Sequence, residues 1–121
     1  MRVLIIDDEE DIRAIAAMSL SSLGGLEVSL AENGSAGLQL AAEQTPDVIL
    51  LDYRMPDMDG LDTLAALRQQ PSTAGIPVIF LTASVSPSEL EHLKEVGAHG
   101  AIAKPFDPMT LPDRLKELMN L

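Results

Sequence analysis

The sequence predicts an α/β protein of the doubly wound type, a (βα)5 three-layer sandwich with one five-stranded parallel sheet between two layers of helices. Three runs, Val3-Leu4-Ile5-Ile6, Val48-Ile49-Leu50-Leu51 and Val78-Ile79-Phe80-Leu81, are apolar at every position. Strands read this way when both faces of a parallel sheet are covered. Between them lie stretches whose apolar residues recur every three or four positions, the spacing of one helix face. Strands alternating with helices connect by right-handed crossovers, which places helices on both faces of the sheet.

Taken in order, the run at 3–6 is the first strand. A helix over 10–23 follows, with Ile12, Ile15, Ala16, Leu20 and Leu23 on one face and Gly24-Gly25 as its stop signal. Leu26-Glu27-Val28-Ser29-Leu30 alternates with period two, as a half-exposed strand near a sheet edge does. Helical spacing resumes at about 36–43, before the third strand, and at about 61–69, before the fourth. The fourth helix, about 89–96, is started by Ser86 or Ser88 and ended by Gly97. Ala101-Ile102-Ala103 is the short fifth strand. Pro112 would break a helix begun at Asp107, because proline lacks an amide hydrogen and crowds the preceding turn. With Thr110 as N-cap, Pro112 falls in the first turn, where its missing donor costs nothing, so the fifth helix is placed at about 111–119. Thr110 and Asp113 then resemble a capping box with Asp in place of Glu.

Composition bounds the function. The 121 residues are 46% hydrophobic, enough for one core, and residues 1–121 are expected to form a single domain. Nineteen acidic against eight basic residues give a formal net charge of −11, which repels phosphate backbones and anionic membranes, so neither nucleic acid nor membrane is expected as a direct partner. The absence of cysteine excludes disulfides, thiolate chemistry and Cys-ligated metal centres. The first apolar run is too short for a signal-peptide core and meets Asp7-Asp8-Glu9-Glu10-Asp11 at once, so a cytoplasmic location is expected. The chain ends just after the fifth helix, which suits a self-standing unit or one domain of a longer protein.

In doubly wound sheets, ligands bind beyond the carboxyl ends of the strands, where strand order reverses. Asp7 and Asp8 follow the first strand, Asp52 ends the third, Thr82 ends the fourth and Lys104 follows the fifth. Each alone is explained as a cap, a turn residue or a solvated charge. Five polar residues of complementary chemistry at the ends of four strands are not explained so easily. Three carboxylates held close repel one another unless a proton or a cation sits among them. A few oxygen ligands suit Mg²⁺, which keeps several waters, and three carboxylates, one Mg²⁺ and Lys104 balance to zero. Asp52 is then a candidate nucleophile for phosphoryl transfer, with Mg²⁺ and Lys104 stabilising the equatorial oxygens. A phosphoryl group on Asp52 would recruit further donors, for which the Thr82 hydroxyl and the Ala83 amide are placed.

These segments, with Leu50-Leu51-Asp52-Tyr53-Arg54-Met55-Pro56-Asp57-Met58-Asp59-Gly60, Leu81-Thr82-Ala83 and Lys104-Pro105-Phe106, resemble the response-regulator receiver domains of two-component signalling over essentially the whole chain. The resemblance implies a flavodoxin-like sheet in the order 2-1-3-4-5 and a cis peptide before Pro105. It implies Asp52 as phosphoacceptor, Asp8 as the main metal carboxylate, Asp7 as its partner through water, and the backbone carbonyl of Arg54 as a further Mg²⁺ ligand. Lys104 and Ala83 would contact the phosphoryl group and Thr82 would act as the switch. The implied partners are a histidine kinase or phosphotransfer protein upstream and an effector protein or domain downstream. Many receivers carry Tyr or Phe three residues before the lysine, and here that position is Ala101. Arg54 and Ser84 occupy positions that in the family tune the lifetime of the acyl phosphate.

Two other readings compete. A phosphohydrolase with an aspartate nucleophile, of the haloacid dehalogenase type, would place a second carboxylate two residues after it, where this chain has Arg54. A receiver-like interaction module that binds partners without phosphorylation would not need every pocket residue. His92, His99 and the six methionines read as surface, core or loop residues, and Gly34, Gly60, Gly97 and Gly100 as turn glycines.

Overall fold

A computed structural model describes residues 1–121. Along the chain run β1 (Arg2–Ile6), α1 (Glu10–Met18), β2 (Glu27–Ala31), α2 (Gly34–Gln44), β3 (Val48–Asp52), α3 (Gly60–Gln69), β4 (Val78–Thr82), α4 (Pro87–Glu95), β5 (Gly100–Ala103) and α5 (Leu111–Leu118). The strands form one parallel sheet in the order β2-β1-β3-β4-β5. The order reverses between β1 and β3, and the carboxyl ends of both carry aspartates.

The wholly apolar strands are explained by two cores, one on each face. Leu4, Ile6, Ile49, Leu51, Val78 and Phe80 pack with Ala41, Leu64, Leu67 and Leu93 from α2, α3 and α4. Their sequence neighbours Val3, Ile5, Val48, Leu50, Ile79 and Leu81 point the other way, against Ala16, Leu20, Leu111 and Leu115. Alternation at period two therefore leaves no position of these three apolar runs facing water.

Where helices start, the structure departs from periodicity by a turn or less. Asn33 caps α2 by accepting from the Ala36 amide at 2.8 Å, so α2 begins at Gly34. Asp59 and Asp62 form a reciprocal capping box at α3, at 2.9 and 3.3 Å. Ser86, not Ser88, caps α4, with Pro87 in its first turn. At α5 the expected capping box is absent. The Thr110 hydroxyl turns back and donates to the Asp107 carbonyl at 3.3 Å, and the Leu111 amide donates there at 3.0 Å. The Thr110 side chain is thus engaged with the preceding turn and does not serve the Asp113 amide that a capping box would.

The helix expected over 10–23 is α-helical only to Met18 and widens into a π turn at Ser19–Leu23. Ser19 is buried there and its hydroxyl donates to the Pro108 carbonyl, while Gly24 lies so close to Pro112 that a Cβ would sit 2.9 Å from its ring. Docking against the β5–α5 connection and α5 accompanies the widening.

Of the glycines read as turn residues, Gly97 has φ +106° and fits that reading. Gly34 and Gly60 instead begin helices and Gly100 lies in β5. A Cβ on Gly34 would come within 2.5 Å of the Thr63 hydroxyl, and one on Gly60 within 2.6 Å of the Asp52 carbonyl. Close approach, not turn geometry, requires glycine at both.

Candidate functional site

Asp7, Asp8, Asp52, Thr82 and Lys104 all reach the carboxyl edge of the sheet. β1 ends at Ile6, and the Asp7 amide donates to Ala31 of β2 at 3.1 Å, which holds Asp7 in the sheet plane with its side chain fully buried. Asp8 stands beside it, exposed. Asp52 is the last residue of β3 and only 4% exposed. From beyond β5, Lys104 sends its ammonium between the aspartates, 3.1 Å from Asp7 Oδ2 and 3.2 Å from Asp52 Oδ1. The peptide between Lys104 and Pro105 is cis, as the resemblance implied. Thr82 ends β4 half-buried and Ala83 follows it, both lining a cleft with Asp52, Tyr53, Arg54 and Lys104. The Arg54 amide approaches Asp52 Oδ1 at 3.4 Å while its side chain is exposed.

One participant escaped the sequence reading. Glu9 completes a group of four carboxylates with Asp7, Asp8 and Asp52, whose oxygens lie within 4.8 Å of one another. It also lies 3.6 Å from the Lys104 ammonium. The signal was present in the sequence as a third consecutive acid after β1, but helix-start acids are common and periodicity does not separate a cap from a ligand.

The electrostatics follow from burial. Loss of water raises the Asp52 carboxyl to a pKa of about 6, and the charge of Asp7 adds to the rise, against the opposing pull of Lys104. Burial by itself would lower Lys104. The hydrogen bond and charge of Asp7, and those of Asp52, outweigh it and hold the ammonium above its ordinary pKa. Four carboxylates against one ammonium leave excess negative charge, although no buried side-chain polar atom lacks a partner. The donors are all oxygen, and the exposure of Asp8 and Glu9 leaves room for water ligands. This set fits a small, hard divalent cation that keeps part of its hydration.

Over residues 3–116 the sequence matches the response regulator receiver domain. The chain belongs to that family. It is 37% identical over 118 residues to the phosphate regulon transcriptional regulatory protein PhoB of Pseudomonas aeruginosa, covering 98% of this chain and 51% of that protein. Against chemotaxis protein CheY1 of Helicobacter pylori it is 32% identical over 121 residues, covering 99% and 98%. The solved structure of the chemotaxis response regulator CheY4 of Vibrio cholerae superposes with a TM-score of 0.88 at 36% identity, covering 97% of each chain. This receiver chain therefore spans about half the length of PhoB and nearly all of CheY1. Receiver domains are signalling domains of two-component systems, switched by phosphorylation, and the family generally uses Mg²⁺. The doubly wound fold and the receiver reading of the sequence both hold.

Ala101 pairs with Phe80 across β4 and β5 and is 3% exposed, so no ring can move at that position. The nearest aromatic contact is Tyr53 edge-on to Phe80, with centroids 5.5 Å apart. His92 and His99 are exposed, as expected, and His99 Nε2 bonds the Leu118 carbonyl at 2.8 Å. No helix is long and apolar enough to cross a membrane.

Proposed function

We propose that residues 1–121 act as one cytoplasmic receiver unit that accepts a phosphoryl group on Asp52. The observation that carries this reading is the buried Asp52 carboxylate, 3.2 Å from the Lys104 ammonium within a cluster of carboxylates at the carboxyl edge of the sheet. A carboxylate oxygen of Asp52 attacks phosphorus in line with the bond that breaks. That bond is P–N in a phosphohistidine donor and P–O in acetyl phosphate, and the leaving group departs with the electron pair and takes a proton from solvent. Lys104 shifts from carboxylate to phosphoryl oxygen, and the Thr82 hydroxyl and the Ala83 amide supply the donors that a dianion requires.

Asp7, Asp8, Asp52 and the backbone carbonyl of Arg54 are the residues that would hold Mg²⁺. Bound there, the ion neutralises charge that builds on the equatorial oxygens. Arg54 stands where an aspartate-based phosphohydrolase would have its second carboxylate, so the domain turns over its own phosphoryl group and no external substrate. A histidine kinase or phosphotransfer protein is the proposed donor, and an effector protein or domain the proposed recipient of the switched state.

Intact-mass spectrometry after incubation with acetyl phosphate and Mg²⁺ tests the assignment. One phosphoryl group is expected on the wild type and none on Asp52→Asn. An unlabelled wild type, or equal labelling of the variant, rules it out.

A further inference from the structure

Glu9 is placed to act on this site, and no structural role accounts for its carboxylate. It occupies the N-cap position of α1, yet its side chain accepts no hydrogen bond from the helix. The Glu9 amide donates to Asp7 Oδ1 at 2.9 Å, which folds the chain so that the Glu9 side chain turns toward the cleft and not along α1. There it lines the same wall as Asp52, Thr82, Ala83 and Lys104. Its carboxylate is 61% exposed, so it adds charge without the desolvation that Asp7 and Asp52 incur.

Charge decides what Glu9 does. With three aspartates and Lys104 a divalent cation brings the pocket to neutrality; with Glu9 counted, the loaded pocket carries one net negative charge. Glu9 also lies at ion-pair distance, 3.6 Å, from the Lys104 ammonium, whose hydrogen bonds go to Asp7 and Asp52. A cation is drawn in more strongly, while an arriving dianionic phosphoryl group meets a like charge and a rival for Lys104.

Building on the proposed phosphoacceptor reading, we propose that Glu9 is a positioning residue that tightens divalent-cation binding and at the same time slows phosphoryl acceptance from anionic donors. One charge exerts both effects, so they are opposite in sign and linked. Because the group is exposed, both fade as salt rises.

The test compares wild type, Glu9→Gln and Glu10→Gln. Glu10 carries the same charge one residue further into the first turn of α1 and lies outside the carboxylate group. Mg²⁺ binding is followed by the fluorescence of Tyr53, the single tyrosine in a chain without tryptophan, which borders the site. Labelling by acetyl phosphate at saturating Mg²⁺ is followed by mass. For Glu9→Gln the Mg²⁺ dissociation constant is expected to rise about threefold to tenfold and the labelling rate to rise about threefold at low ionic strength, both shrinking toward wild type near 0.5 M salt. Glu10→Gln is expected to match wild type in both. Unchanged values for Glu9→Gln, movement of only one quantity, or an equal response from Glu10→Gln overturns the role of Glu9. A wild type that neither binds Mg²⁺ nor takes a phosphoryl group overturns the phosphoacceptor reading itself.

Discussion

At Asp52 the features that suit a nucleophile work against the stability of the metal-free fold. Burial and the charge of Asp7 lift its pKa from 3.8 to about 6, so the folded protein binds a proton more tightly than the unfolded chain does. Stability of the metal-free protein therefore falls as pH rises from about 4 to about 6, then stays at the lower value. Replacing Asp52 by Asn removes the charge and is expected to stabilise the metal-free protein at pH 7.5 by about 1–3 kcal/mol, with no gain at pH 4, measured by urea unfolding. The same proton competes with the cation. Mg²⁺ affinity is expected to climb up to about tenfold per pH unit below 6 and to level off above it, read by calorimetry. Lys104 carries the opposite burden, since its ammonium is the partner of the fully buried Asp7 side chain. Lys104→Met should cost about 3 kcal/mol without Mg²⁺ and visibly less with it, because a cation among the carboxylates replaces part of the lost charge.

Among the elements, β3 and α3 fix where Asp52 sits. Gly60 opens α3 directly behind it, the Gly60 amide donating to the Tyr53 carbonyl at 3.0 Å, and any side chain there would press on the Asp52 carbonyl and the Phe80 ring. Gly60→Ala is expected to destabilise by about 1–3 kcal/mol and to slow labelling of Asp52, checked by urea unfolding and mass. Arg68, near the end of α3, ties the connection between α3 and β4 to the turn that follows α4. Its guanidinium donates to the carbonyls of Ala74 and Ile76 at 3.1 and 2.8 Å and of Gly97 at 3.0 Å, and burial lowers its pKa. Arg68→Met leaves three carbonyls without this donor, and faster amide exchange around 74–76 and 96–98 is expected. Such contacts also mark what the sequence could convey. The three wholly apolar runs named the central strands because each residue along them had to face one core or the other. The strand-end aspartates were legible because the topology leaves them one edge to occupy. Asp59 and Asp62 went unread as a capping box because helical spacing begins only after the cap. Gly60 read as a turn residue because the approach of Asp52 and Phe80 is a property of packing and not of local chain. Glu9 stayed hidden for a related reason: only the placed Lys104 ammonium separates it from Glu10 and Asp11.

For the whole molecule, a net charge of −11 concentrated partly at one sheet edge makes the cation a global matter. Lys104 offsets the two aspartates buried beside each other, and in the proposed function a divalent ion would offset them further and phosphorylation would upset that balance again. In the proposed switch the response is expected to run through Thr82, Ala83 and the start of α4, since Ala101 offers no ring to move and packs directly against the core. In the proposed reaction the incoming phosphoryl group lands on Asp52 and nowhere else in the carboxylate group. Borohydride reduces an acyl phosphate to the alcohol, turning a phosphorylated aspartate into homoserine and leaving free carboxylates intact. Peptide sequencing by tandem mass spectrometry, after acetyl phosphate, Mg²⁺ and borohydride, is expected to find homoserine at position 52 alone. Homoserine at position 7 or 8, or at no position in a protein that had gained phosphoryl mass, would rule out Asp52 as the phosphoacceptor.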